Sequence, residues 1–214
     1  MADPAARPAS SRPPVLTLAP GSSSYPSRLL HAAAPPPLQA IGLPGILQGT
    51  VLGLVCSVRL PGRIMLEAYE WARQMKHSRV VVAGGFHSPM ERVCFQQMLR
   101  GQTRLVYCPA RGIARLRVPA AWRPPIVAGR LLILSAVEDP LRRATRALAA
   151  RRNRFVVALA DALLIPYAGR GTATEFLALA ATRLGTPLYT FPGPENENLL
   201  QMGARAWGMD PTEF

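Results

Sequence analysis

Lysine is almost missing from this chain: Lys76 is the only one among 25 basic residues, and the other 24 are arginine. Acids are scarce as well, with 12 Asp and Glu in 214 residues, which leaves a formal net charge of +13. An excess of that size points to an anionic partner: nucleic acid, nucleotide or membrane surface. Cysteine is limited to Cys56, Cys94 and Cys108, far apart and without a CxxC pair. That excludes a disulfide framework and a zinc site of ordinary ligand spacing, so reduced thiols and a cytoplasmic location are expected, with no metal and no cofactor. No apolar run reaches the roughly 18 residues that a membrane span needs, so no integral membrane protein is expected. No apolar segment follows a basic start either, which argues against a secretory signal peptide.

What the chain does have is a hydrophobic content of 49%, enough for a core and too much for global disorder. Proline is abundant and unevenly placed, 10 of 22 falling in the first 45 residues beside three arginines and one acid. Segments such as Pro35-Pro36-Pro37 and Gly21-Ser22-Ser23-Ser24 disfavour helix and sheet. Residues 1–45 are therefore expected to be a disordered tail, residues 46–208 a single domain, and residues 209–214 a short C-terminal tail.

From residue 50 the pattern alternates. Apolar runs at 50–57, 79–83, 105–108, 129–135, 162–167 and 187–191 read as strands. Stretches at 62–76, 89–100, 140–160 and 172–184 read as helices. Continuous apolar strands separated by helices predict an α/β fold: a doubly wound, mostly parallel, Rossmann-like sheet with helices on both faces, in a single domain. Ligands in such sheets sit at the carboxyl ends of the strands.

The residues at those ends are suited to phosphate. The first strand runs into Ser57 and Arg59, the second into Gly84, Gly85 and His87, and the third into Arg111. The fifth runs into Gly169-Arg170-Gly171-Thr172, with Glu175 three residues on. Glycines let a backbone approach a ligand, Thr172 is a natural helix cap, and the N–H groups of a helix start favour anions. Thr172 and Glu175 also have the spacing of a capping box. Past the sixth strand, Asn196 and Asn198 have the chemistry to read a base edge or to hold a turn. On the helix before the fifth strand stand Arg152, Asn153 and Arg154. Residues 100–154 hold 13 arginines against Glu138 and Asp139, a net of +11, which leaves +2 for the rest of the chain. The preference for arginine over lysine matches what GC-rich coding would write. Its clustering does not follow from coding, and predicts a localised basic face.

Arg152-Asn153-Arg154-Phe155, the apolar strand, Gly169–Thr172, Phe191-Pro192-Gly193 and Asn198-Leu199-Leu200 with Gly203-Ala204 follow one another in order. In these segments residues 50–206 resemble the DprA/Smf DNA-processing proteins, which carry R-N-R, a buried strand, a Gly-rich turn, V-P-G and N-x-L-I-x-x-G-A. The resemblance implies a Rossmann-like domain that binds single-stranded DNA through Arg and Gly-rich strand-end loops, with Arg152 and Arg154 on phosphates, a recombinase partner, and a homodimer. It departs from the family at Cys56 and Val58 in the G-S-R turn, and at His87, Pro89 and Glu91 in the second-strand turn. The related LOG-type nucleotide hydrolases carry P-G-G-x-G-T-x-x-E. Here Gly169, Gly171-Thr172 and Glu175 are kept and the P-G start is not. That second resemblance implies an alternative: a nucleoside 5′-monophosphate phosphoribohydrolase, with Glu175 catalytic and Arg152 on the phosphate. The two readings are a binder of single-stranded DNA or nucleotide without chemistry of its own, and an N-glycosidic hydrolase. A sensor of a nucleotide-derived signal would bind without turnover.

Overall fold

The computed structural model describes residues 13–31, 34–137 and 144–208. Nine strands form one sheet: β1 (Leu16–Leu18), β2 (Leu38–Ile41), β3 (Val51–Leu54), β4 (Val81–Gly84), β5 (Arg104–Tyr107), β6 (Leu131–Ser135), β7 (Ala162–Leu164), β8 (Leu188–Thr190) and β9 (Arg205–Ala206). Their spatial order is β1-β2-β6-β5-β4-β3-β7-β8-β9. Pairing from β6 through β9 is parallel, and β1 and β2 join antiparallel at the β6 side. The helices are α1 (Gly62–Gln74), α2 (Pro89–Leu99), α3 (Arg123–Val127), α4 (Arg146–Leu159), α5 (Ala173–Arg183) and α6 (Glu197–Gln201). The doubly wound α/β expectation is met, with each of the six expected strands present. The long helix expected over 140–160 is described only from residue 144, and its helical part begins at Arg146.

Two apolar layers flank the sheet. On one face Ile64, Trp71, Cys94, Phe95 and Met98 of α1 and α2 pack on Leu52, Val82, Leu105 and Ile133. On the other, Val156 and Leu159 of α4 and Ala178 and Ala181 of α5 pack on Val51, Val106, Leu132 and Leu163. The alternation of strand side chains between faces assigns each residue its layer. At Gly53 a Cβ would stand 2.8 Å from Leu163 Cδ1 and 3.4 Å from Val156 Cγ1, so glycine is what lets α4 lie close on β3.

The expectation of a disordered tail over 1–45 is corrected for its described part. Leu16–Leu18 pairs with Leu38–Ile41, which pairs with β6, and Leu18, Tyr25, Leu29 and Leu38 are buried in the α4-side layer. The prolines do not oppose this, because Pro14, Pro20 and Pro37 stand outside strands of only three and four residues. Tyr25 donates its hydroxyl hydrogen to the Pro36 carbonyl at 2.8 Å. Arg28 donates from Nε and Nη2 to the two oxygens of Asp161, each at 2.5 Å, and from Nη1 and Nη2 to the carbonyls of Leu47 and Gly49. Asp161 also accepts the Val51 N–H at 2.7 Å. The folded unit therefore begins before residue 46. Residues 1–12 and the expected tail at 209–214 lie outside the described residues.

Candidate functional site

The chain lays down β3, β4, β5 and β6 outward in one direction, then α4 carries it back to β7 on the other side of β3. At that reversal the strand ends diverge, and doubly wound sheets bind their ligands in this crevice. Two adjoining cavities occupy it. One, of about 530 Å³, is lined by Ser57, Arg59, His87, Glu91, Arg152, Asn153, Tyr167, Gly169 and the α5 start at Thr172–Thr174, with neighbouring residues. The other, of about 410 Å³, is lined by Gly85, His87, Tyr107, Arg111, Arg146, Ala149 and Arg152, with neighbouring residues. His87, Ala149 and Arg152 border both, so the two form one trough.

Arg152 is at its centre. Val156 is buried against the sheet, and Arg152 precedes it by four residues on the same helical face, so the packing of α4 aims the guanidinium at the strand ends. Arg152 is 7% exposed, donates to Asn153 Oδ1 at 2.7 Å and to the Cys108 carbonyl at 3.3 Å, and has no carboxylate partner among the described residues. A buried cation without a counter-ion is costly, and an incoming anion relieves that cost. Gly85 is shaped by it: a Cβ there would lie 1.5 Å from Arg152 Nη1. Next to it Phe86 adopts φ +46°, a left-handed conformation that a bulky side chain rarely takes. Its ring is held by Phe95 at 4.7 Å and Tyr107 at 6.4 Å between centroids.

Glu91 organises the floor. Its Oε1 accepts the Cys56 N–H at 2.8 Å, and its Oε2 accepts the His87 N–H at 2.8 Å and the Ser88 N–H at 3.3 Å. The Ser88 hydroxyl accepts the Glu91 N–H in return, closing a capping box at the start of α2. One buried carboxylate so ties the end of β3 to the turn after β4. Ser57 Oγ accepts the Gly169 N–H at 3.3 Å and ties β3 to the β7 turn.

Glu175 is engaged within its own turn. Its Oε1 accepts from Asn198 Nδ2 at 2.5 Å and its Oε2 from the Gly171 N–H at 2.6 Å. It lines neither cavity. The Asn198 amide, with help from the Gly171 N–H, holds its carboxyl below the usual range. Thr172 caps α5 through the Glu175 N–H, but Glu175 reaches one residue further back than a capping box would, to Gly171 at φ +70°. The Glu175 carboxylate is thus a brace for the β7–α5 turn. Asn196, wholly buried, donates to the carbonyls of Pro166 and Phe191, and Asn198 donates to Ala168. Both asparagines hold the turn from behind.

Of the residues expected from the sequence, Ser57, Arg59, Gly85, His87, Arg111, Arg152, Asn153, Gly169 and Thr172 line the trough. Gly84, Arg154, Arg170 and Gly171 do not. Gly84 is inside β4, Arg154 is exposed about 200° around α4 from Arg152, and Arg170 is exposed on the turn. Tyr107, Tyr167, Arg146 and Glu91 were missed. Residues 146, 149, 152 and 156 recur at helical spacing, so the buried Val156 was the signal for Arg146. The localised basic face is corrected too. Arg104 opens β5 and Arg130 precedes β6, which places them at the amino ends of the strands, opposite the trough.

A doubly wound sheet with a cationic, glycine-walled trough at its switch point defines a Rossmann-like protein. The chain belongs to the DNA recombination-mediator protein A family, whose model matches residues 16–207. Among solved structures it is similar to DNA processing protein A from Helicobacter pylori, which has a single-stranded DNA binding mode described as unique. That likeness is 19% identity and a TM-score of 0.74, over 92% of each chain. It is similar also to DNA processing protein A from Streptococcus pneumoniae, at 16% identity and a TM-score of 0.75 over 91% of this chain and 71% of that one. A molybdenum cofactor binding protein from Rippkaea orientalis shares the fold more loosely, at 14% identity and a TM-score of 0.52 over 76% of this chain and 91% of that one. No curated protein matches the chain. Among the described residues no helix is long and apolar enough to cross a membrane.

Proposed function

We propose that this protein binds single-stranded DNA in the trough at the strand ends, with the phosphate backbone against Arg152, Arg59 and the start of α5. The observation that carries the reading is the buried guanidinium of Arg152, which faces both cavities and has no carboxylate partner among the described residues. Arg59 and Arg111 add exposed charge at the two ends, and Tyr107 and Tyr167 add aromatic walls of the kind bases pack on. Family membership and the single-stranded DNA binding of the Helicobacter pylori relative support it. Carboxylate chemistry at Glu175 gains no support, because both its oxygens serve the turn. A homodimer, hand-over of the strand to a recombinase and work in the cytoplasm belong to the same proposal.

Fluorescence anisotropy with a labelled oligothymidylate at low salt tests it. Wild type binds, and Arg152→Ala weakens binding about tenfold or more, the loss expected of a charge-assisted phosphate contact of ~1.5–3 kcal/mol. Equal affinity of the two proteins, with folding intact, would place the strand elsewhere.

A further inference from the structure

A second basic surface stands at the opposite edge of the sheet. Lys76 follows α1, Arg79 precedes β4, Arg100 follows α2, Arg104 opens β5 and Arg130 precedes β6. The parallel register brings them together: Val81 pairs with Arg104, and Leu105 with Leu131. The Gln102 N–H donates to the Lys76 carbonyl at 2.6 Å, and Arg130 Nη1 donates to the Gly101 carbonyl at 2.7 Å. A Cβ on Gly101 would stand 2.7 Å from Lys76 Cβ, so these turns are in direct contact. Arg79, Arg100 and Arg104 are exposed.

None of the five is in an ion pair among the described residues. The acids there are committed elsewhere: Asp161 to Arg28, Glu67 and Glu195 to Arg63, Glu70 to Arg73, Glu91 and Glu175 to backbone N–H groups, and Glu197 to the Gln201 amide. Five neighbouring cations with no ion pair among the described residues repel one another. An anion with regularly spaced charges is the partner that turns this repulsion into attraction. Strands β5 and β6, of four and five residues, are about 13–17 Å long. The surface therefore lies within reach of a strand only a few nucleotides longer than one that fills the trough. We propose that the amino-end surface formed by Lys76, Arg79, Arg100, Arg104 and Arg130 is a second phosphate-backbone contact, engaged by nucleic acid too long for the trough alone. This rests on the single-stranded DNA reading of the trough.

The test compares the full chain with Arg79→Ala/Arg100→Ala/Arg104→Ala and with Arg152→Ala, on an oligothymidylate of about 6 nucleotides and one several times longer. The triple variant keeps wild-type affinity for the short strand. It loses about tenfold or more on the long one, and its salt slope there falls by about 2, as expected when three single-strand phosphate contacts go. Unchanged long-strand affinity and slope, with Arg152→Ala still weakening the short strand, overturns this proposal and leaves the trough reading standing. Long-strand binding that depends on the triple set but not on Arg152 overturns the trough reading and, with it, the assignment of this surface as a second contact. Loss of binding to phosphatidylserine–phosphatidylcholine vesicles without loss on DNA assigns the patch to membranes and overturns the proposal. Should the triple variant fold poorly, Arg79→Gln/Arg100→Gln, exposed and outside the strands, gives the same reading.

Discussion

Arg152 and Gly85 fit as a pair, because the guanidinium fills the space that any side chain at 85 would take. The atoms met by a Cβ at 85 all belong to the flexible arginine, and Gly85 is not among the positive-φ residues. Gly85→Ala is therefore expected to displace Arg152 rather than the backbone. A thermal melt should change little while affinity for single strands falls about as far as in Arg152→Ala, some tenfold. A melt that collapses with the affinity would instead make Gly85 a packing residue. The chemistry of Gly85 and Arg152 was legible in the sequence as a glycine at a strand end and an arginine on a helix. Their contact was not, since it joins residues 67 positions apart through the way α4 lies on β4.

The β7–α5 turn shows how a carboxylate near a helix start can serve as a brace. Glu175 has the spacing of a hydrolase acid, yet its two oxygens are spent on Gly171 and Asn198. Spacing along the chain revealed the helix cap but could not reveal Asn198, which arrives from α6. The depressed carboxyl gives the turn a pH dependence with a definite sign. A carboxyl whose folded value is below its unfolded value, about 4.3, adds stability that is full above that value and is lost as pH falls through the folded one. Melts from pH 7 to pH 3 should show a shallower acid limb for Glu175→Gln than for wild type. Identical acid limbs would mean that Glu175 is not braced in solution.

At the scale of the whole molecule, six of the seven parallel strands and four of the six helices were legible because buried strands read as apolar runs, while β9, α3 and α6, of two and five residues, are too short to carry a period. The antiparallel β1–β2 pair was not, because three- and four-residue strands between prolines carry no periodicity, and what orders them is β6 and α4 far along the chain. Net charge likewise said how many cations there are and not which edge of the sheet they occupy. Arg28 is the long-range tie, 133 positions from Asp161. Arg28→Ala leaves Asp161 with only the Val51 N–H and the carbonyls of Leu47 and Gly49 without the guanidinium, a loss of about 1–3 kcal/mol. In a domain of this size that lowers the melting midpoint by about 2–4 °C for each kcal/mol. An unchanged midpoint in calorimetry would make the N-terminal segment an ornament rather than a part of the fold.

That tie bears on how the protein is made. The segment around residues 16–41 leaves the ribosome early, yet its partners, β6 and Asp161, are synthesised roughly a hundred residues later, seconds later at ~5–20 residues per second. During that interval it has no sheet to join. Its prolines and serines break up the continuous apolar, β-prone run through which waiting strands pair with neighbouring chains. The composition that conceals these strands from a reader of the sequence also protects them until the sheet is ready.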